Sequence, residues 1–217
     1  MSVNEYIYRY YSQHGEDYLL CEFFERKKHG FYVEVGAFDG RYLSNTYSFE
    51  EKGWTGICVE PSPRFFALCT ENRPNSICIN AACVGDESID TIELNAEESG
   101  LLSSVDNSNL FHEDLVRRYR DSGFEFKGID KIRVKAKTLD QILEEHCPPG
   151  QEIDFVSIDV ENYEEQVLAG FDVTRFRPRV IIIETNTAEA ETRITDTMLE
   201  KYGYHLVRRL GINSIYV

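Results

Sequence analysis

Apolar and polar positions along the chain alternate between helical and strand periods, and each change of period marks a new element. Leu19, Leu20, Phe23 and Phe24 recur at helical spacing behind the polar cluster Ser12-Gln13-His14-Gly15-Glu16-Asp17, which can cap the helix. His29-Gly30 ends it, with Arg26, Lys27 and Lys28 in the last turn, where the helix dipole favours cations. Residues 31–35 are β-branched and aromatic and predict a buried strand, which Gly36 breaks. A helix opens at Ser44-Asn45-Thr46 and ends near Gly53. Residues 54–60 predict a second strand. Pro61-Ser62-Pro63 starts the next helix, with Phe65, Phe66 and Leu68 facing inward. Residues 77–84 predict a third strand and 90–94 an added antiparallel one.

The second half repeats this rhythm. Residues 132–138 alternate as a strand, and a short helix runs from Thr138-Leu139-Asp140 to Glu145. A strand at 153–160 precedes a helix at 163–171. Residues 180–184 form the most hydrophobic strand, expected near the sheet centre. The last helix spans 192–202. Residues 205–210 and 212–217, separated by Gly211, predict a tight antiparallel hairpin. The expected fold is α/β and Rossmann-like: a mostly parallel seven-stranded sheet ending in an antiparallel hairpin.

The chain has 217 residues, enough for one domain with a sizeable core. Residues 1–30 read as an arm and helix. Residues 95–131 read as a variable insert over the cleft, with a short amphipathic segment at 110–119. A net charge of -15 and a pI of about 4.8 disfavour nucleic acid and anionic membranes as partners. No apolar run reaches the length of a membrane span, and residues 1–9 lack the apolar region of a signal peptide. The six cysteines form no Cys-x-x-Cys pair, which suits reduced thiols in a cytoplasmic protein.

The loop after the first strand carries the chemistry. It holds Gly36 and Gly40 with Ala37 and Phe38 between, so the Gly-x-Gly-x-x-Gly dinucleotide fingerprint fails. Glu34 and Asp39 would repel a pyrophosphate and suit a cationic ligand. S-adenosylmethionine is such a ligand, with an ammonium, a sulfonium and no phosphate. Glu60 ends the second strand, where an acid is expected to take ribose hydroxyls. The plainer alternative makes Glu34 and Glu60 solvated strand-end acids. The terminal hairpin is the layout of class I methyltransferases rather than of dehydrogenases. Asp159 and Glu161 sit at the carboxyl end of a strand, where residues two apart share a face. Asp159 would lie nearest a transferred methyl and Glu161 would take the acceptor's proton. Glu184 ends another strand and is a candidate substrate contact, as is His14. Asp159, Glu161 and Glu184 could also offer oxygens to a hard divalent cation, but no spacing motif assigns a metal site.

In order, these stretches resemble the FkbM family of S-adenosylmethionine-dependent methyltransferases. The matching pieces are Ser12 to Asp17, Val33 to Gly40, Ser44-Asn45-Thr46, Gly56 to Pro63, Asn80-Ala81-Ala82 and Ser157 to Glu161. The resemblance implies O-methylation of a hydroxyl on a sugar, glycan, polyketide or other small metabolite. It implies that Glu34, Gly36 and Asp39 hold the methionine part, Glu60 the ribose, and Ala81 and Ala82 the adenine edge. Ala37 and Pro61 complete the cofactor-binding set. The family often has Gly after its Asp-x-Glu segment, where this chain has Asn162. Two rival readings stay open: a NAD or nucleotide-sugar enzyme on a similar sheet, and a non-catalytic cofactor-binding module. Homo-oligomerisation is also left open.

Overall fold

A computed structural model of the protein describes residues 9–97, 105 and 129–217. The expected amphipathic segment at 110–119 and most of the 95–131 insert lie outside the described residues. Helix α1 (Glu16–Phe23) leads into strand β1 (Phe31–Val35). Helix α2 (Tyr47–Glu50), strand β2 (Thr55–Val59), helix α3 (Pro63–Asn72) and strand β3 (Ser76–Ile79) follow. After the short strand β4 (Ala82–Cys83) and the longer β5 (Thr91–Glu97) and β6 (Ile129–Lys137) come strands β7 (Phe155–Ile158) and β8 (Val180–Glu184). Strands β9 (Leu206–Leu210) and β10 (Asn213–Tyr216) close the chain.

The main sheet has seven strands in the order β3-β2-β1-β7-β8-β10-β9. β1 pairs in parallel with both β2 and β7, so strand order reverses between β1 and β7. β10 is antiparallel to β8 and β9, as the expected hairpin requires. Strand alternation splits the core into two layers. Val33, Val35, Val156 and Ile181 face one layer, packed on Leu139, Ile142 and Val167. Tyr32, Phe155 and Ile182 face the other, packed on Leu20, Phe24, Phe49 and Cys69. Helices on both sheet faces make this a doubly wound fold with its ligand edge at the switch point.

Several expectations change. Helix α1 ends at Phe23, so Arg26, Lys27 and Lys28 lie beyond its last turn. The strand expected over 77–84 divides at Asn80. β3 stays in the main sheet, while β4 joins β6 and β5 in a separate three-stranded sheet. The Asn80 side chain donates to the Glu60 and Pro61 carbonyls, which pulls the chain across the strand ends. In α3 the buried stripe is Phe65 and Cys69, one turn apart, and Leu68 is exposed. Phe23 is exposed as well, on the solvent side of α1. The last helix is an α segment to Arg193, then a π-turn segment and a 3-10 turn. All six cysteines are free, and no helix among the described residues is long and apolar enough to cross a membrane.

Candidate functional site

The sheet's switch point creates the site. Gly36 (φ +87°) brings β1's end against the end of β7, and a Cβ there would collide with the Asp159 carbonyl oxygen. The Asp159 backbone N–H donates to the Val35 carbonyl at 3.0 Å. Above this junction lies a cavity of about 290 Å³. Glu34, Glu60, Asp159, Glu161 and Glu184 all line it. Gly36 and Ala37 form its floor, and Asn45, Ser157 and Asn213 add polar wall. Among its described lining residues there is no lysine or arginine. A smaller apolar slot of about 40 Å³ adjoins it, sharing Val35, Gly36, Pro61 and Val160 and lined by Ala81 and Ala82.

The loop's own amides are occupied. Gly36 and Ala37 N–H both donate to the Val59 carbonyl at 3.0 Å, and Gly40 N–H donates to the Ala37 carbonyl at 2.7 Å. Phe38 N–H donates to Glu60 Oε2 at 2.8 Å. In a dinucleotide fold such amides face a pyrophosphate; here they do not.

Glu60 is held as expected of a strand-end acceptor. It is 7% exposed, and Ser62 N–H donates to its other oxygen at 2.8 Å. Burial pushes its carboxyl up to about 8, against the opposing pull of these two amides. Glu60 and Glu34 are therefore both buried cavity acids rather than solvated ones.

Glu34 has an unforeseen partner. Arg73, at the end of α3 and 1% exposed, donates from Nη2 to Glu34 Oε2 at 2.7 Å. Ser44 and Thr46 hydroxyls donate to the two Glu34 oxygens at 2.8 Å each. Arg73 also reaches Tyr32 Oη at 2.9 Å, Glu50 at 3.4 Å and the Gly40 carbonyl. Glu34 thus borders the cavity with its charge already countered from behind. Asp39 departs further from expectation. Its carboxylate accepts from the Arg41 and Tyr42 amides at 2.8 and 2.7 Å, and it is not among the cavity-lining residues. The Asx-type turn engages Oδ1, one of the two oxygens that were expected to meet a ligand.

Asp159 and Glu161 both reach the cavity, though not by strand alternation, since β7 stops at Ile158. A turn presents them instead. Glu161 and Asn162 take left-handed conformations, φ +55° and +73°. Asn tolerates this region, which accounts for Asn162 standing where the family often has Gly. Glu164 Oε1 accepts from the Val160 and Asn162 amides at 3.0 and 3.2 Å and pins the turn. Asp159 is open to solvent through the cavity mouth, with protein packed around its other sides. Burial and crowding with other acids raise the carboxyls of Asp159, Glu161 and Glu184, and burial lifts Glu164 to about 7.

His14 is exposed, and its ring packs over Gly211 of the hairpin; Gln13 lines the cavity in its place. The same segment is anchored by buried acids. Asp17 accepts the Ser12 hydroxyl at 2.5 Å, and Glu16 accepts Asn213 Nδ2 at 2.8 Å. Sequence reasoning missed Arg73, Glu164, Asn45 and Asn213. Only Asn45 lay within a singled-out stretch, as the middle of Ser44-Asn45-Thr46.

The model for the Methyltransferase FkbM domain matches residues 34–206. A curated methyltransferase, sdnD of Sordaria araneosa, is 25% identical over 172 residues, covering 70% of this chain. The alignment takes in 65% of that relative's length. Among solved structures, fibrillarin of Aeropyrum pernix in complex with natively bound S-adenosyl-L-methionine aligns with a TM-score of 0.46 and 12% identity. That alignment covers 88% of this chain and 67% of fibrillarin. A precorrin-6y C5,15-methyltransferase of Geobacter metallireducens aligns at 0.43 and 11% identity, covering 92% and 83% of the two chains.

Proposed function

The chain belongs to the FkbM methyltransferase domain family, and from that premise we propose that it is an S-adenosylmethionine-dependent O-methyltransferase. The acceptor is a hydroxyl of a sugar, glycan or other small metabolite. One observation carries the cofactor reading: the cavity is rich in acceptors, and no lysine or arginine is among its described lining residues. Glu34 and Glu60 border it, the loop amides are turned inward, and the side-chain oxygens of Asn45 and Asn213 are buried with no hydrogen-bond partner. Buried acceptors left unpaired cost about 1–3 kcal/mol each, so the site favours a ligand rich in N–H and O–H groups. An ammonium, a ribose diol and an apolar adenine face meet that demand; a pyrophosphate does not.

S-adenosylmethionine would supply a methyl already activated on a sulfonium. Glu60 has a free lone pair on each oxygen for the ribose hydroxyls. Ala81, Ala82 and Pro61 offer a narrow apolar slot for the base. Asn45 and Glu34 border the cavity where the methionine ammonium would lie. Asp159 and Glu161 orient the acceptor hydroxyl, and Glu161 takes its proton as the oxygen gains the methyl. Gln13 and Asn213 form the wall toward which the rest of the acceptor would extend.

Calorimetric titration with S-adenosylhomocysteine, NAD and a UDP-sugar, side by side, tests the reading. Binding of S-adenosylhomocysteine alone is expected. Saturable binding of NAD or the UDP-sugar, with none of S-adenosylhomocysteine, would sink it. Asp159→Ala separates an enzyme from a binding module: turnover falls while S-adenosylhomocysteine affinity is retained.

A further inference from the structure

The acids at the ends of β7 and β8 converge with one that was not anticipated. One carboxylate oxygen each from Asp159, Glu164 and Glu184 lie within 4.8 Å of one another. Oxygens around a single hard cation, at roughly 2.0–2.6 Å from it, are at most about 4.0–5.2 Å apart, so this spacing is within reach of one ion. The three residues come from separate places in the fold: the end of β7, the turn of helix that follows it and the end of β8. Glu164 is pre-oriented, because its Oε1 is held by the Val160 and Asn162 amides.

An acidic cluster can be a solvated surface feature, but here Glu164 and Glu184 are buried and only Asp159 is open to solvent. Glu184 is 5% exposed, lines the cavity, and its Oε2 has no hydrogen-bond partner. Asn213 stands directly across from Glu184 in the β8–β10 pairing. It is 4% exposed, and its Oδ1 is also unpartnered. The amide cannot be turned round to remove this orphan. Its Nδ2 donates to Glu16 Oε1, and turning the amide round would give up that bond. Cross-strand neighbours share a sheet face, and Glu184 and Asn213, which line the cavity together with Asp159, each carry a buried oxygen without a donor.

We propose that Asp159, Glu164 and Glu184 bind one hard divalent cation, magnesium, manganese or calcium, with the Asn213 oxygen as a neutral neighbour. The donor set is oxygen only, which selects these ions over zinc or copper. The geometry replaces Glu161, which the sequence grouped with Asp159 and Glu184, by Glu164. Glu161 then keeps its place as proton acceptor beside the ion. A cation here would also hold the acceptor hydroxyl and lower its pKa, the help that an alcohol nucleophile needs. Only that last step rests on the methyltransfer reading; the binding of the ion does not.

The test is calorimetry on chelator-treated full-length protein, titrated with magnesium, manganese or calcium chloride and no cofactor. One saturable site per chain is expected. Glu184→Gln and Glu164→Gln should each weaken it at least tenfold. Circular dichroism and S-adenosylhomocysteine binding report whether each variant is folded. Manganese electron paramagnetic resonance supplies a second readout of bound ion. No saturable binding of any of the three ions, or unchanged affinity in a folded Glu184→Gln, overturns the proposal. Since S-adenosylhomocysteine binding is measured separately, loss of the cation site would leave the cofactor reading standing, and the reverse.

Discussion

Arg73→Met isolates the interaction that holds the cofactor edge from behind. The guanidinium is 1% exposed and is paired with Glu34 at 2.7 Å and Glu50 at 3.4 Å. Methionine fills much of the same volume but leaves both carboxylates buried without their cation. Breaking a buried pair by removing one partner costs about 3–5 kcal/mol. That is a large share of the roughly 5–15 kcal/mol that stabilises a domain. For a chain of this size it lowers Tm by about 6–20 °C. Urea denaturation followed by circular dichroism measures the cost directly. Glu34→Gln in the Arg73→Met background removes one stranded charge and should recover about 1–3 kcal/mol relative to additivity. An Arg73→Met cost below about 1 kcal/mol, or strict additivity with Glu34→Gln, would refute the claim that Arg73 counters the Glu34 charge at the cavity edge.

The remaining predictions concern the cavity itself. Glu60→Ala removes two buried hydrogen-bonding oxygens, together worth about 1–3 kcal/mol, so S-adenosylhomocysteine should bind roughly 5–150-fold more weakly by calorimetry. Unchanged affinity would remove Glu60 from the ribose site. Because burial lifts the Glu60 carboxyl from 4.5 to about 8, the folded state holds a proton that the unfolded chain releases. The stability this adds is full below about pH 4.5 and disappears as pH rises to about 8. Glu60→Gln should therefore flatten that part of the stability profile, and an identical slope in both proteins would count against the assignment. Gly36→Ala forces a Cβ into the Asp159 carbonyl at positive φ. It should cost at least about 2 kcal/mol and abolish turnover; a stable, active variant would show that the β1–β7 junction is not rigid. Asn162→Ala loses a residue that tolerates the left-handed region and should destabilise by about 1 kcal/mol, whereas Asn162→Gly should be near neutral in the same urea titration.

Much of the fold could be read from residue order. The run at 31–35, the acid at Glu60, the apolar strand at 180–184 and the Gly211 hairpin each follow from local chemistry that acts within a few residues. Periodicity reports which face a side chain takes and where strands end, and strand ends put Glu34, Glu60 and Glu184 at the cavity edge; Asp159 and Glu161 reach it from the turn after β7. It does not report which partner waits on that face. Glu34 meets Arg73 from 39 residues away, and Asn213 meets Glu16 from 197. Asp39 turns into its own loop, while Glu164 turns toward Asp159 and Glu184. Those pairings depend on how helices and the hairpin settle on the sheet. Whether a buried carboxylate faces a ligand, an arginine or another acid was therefore decided only once the chain had packed.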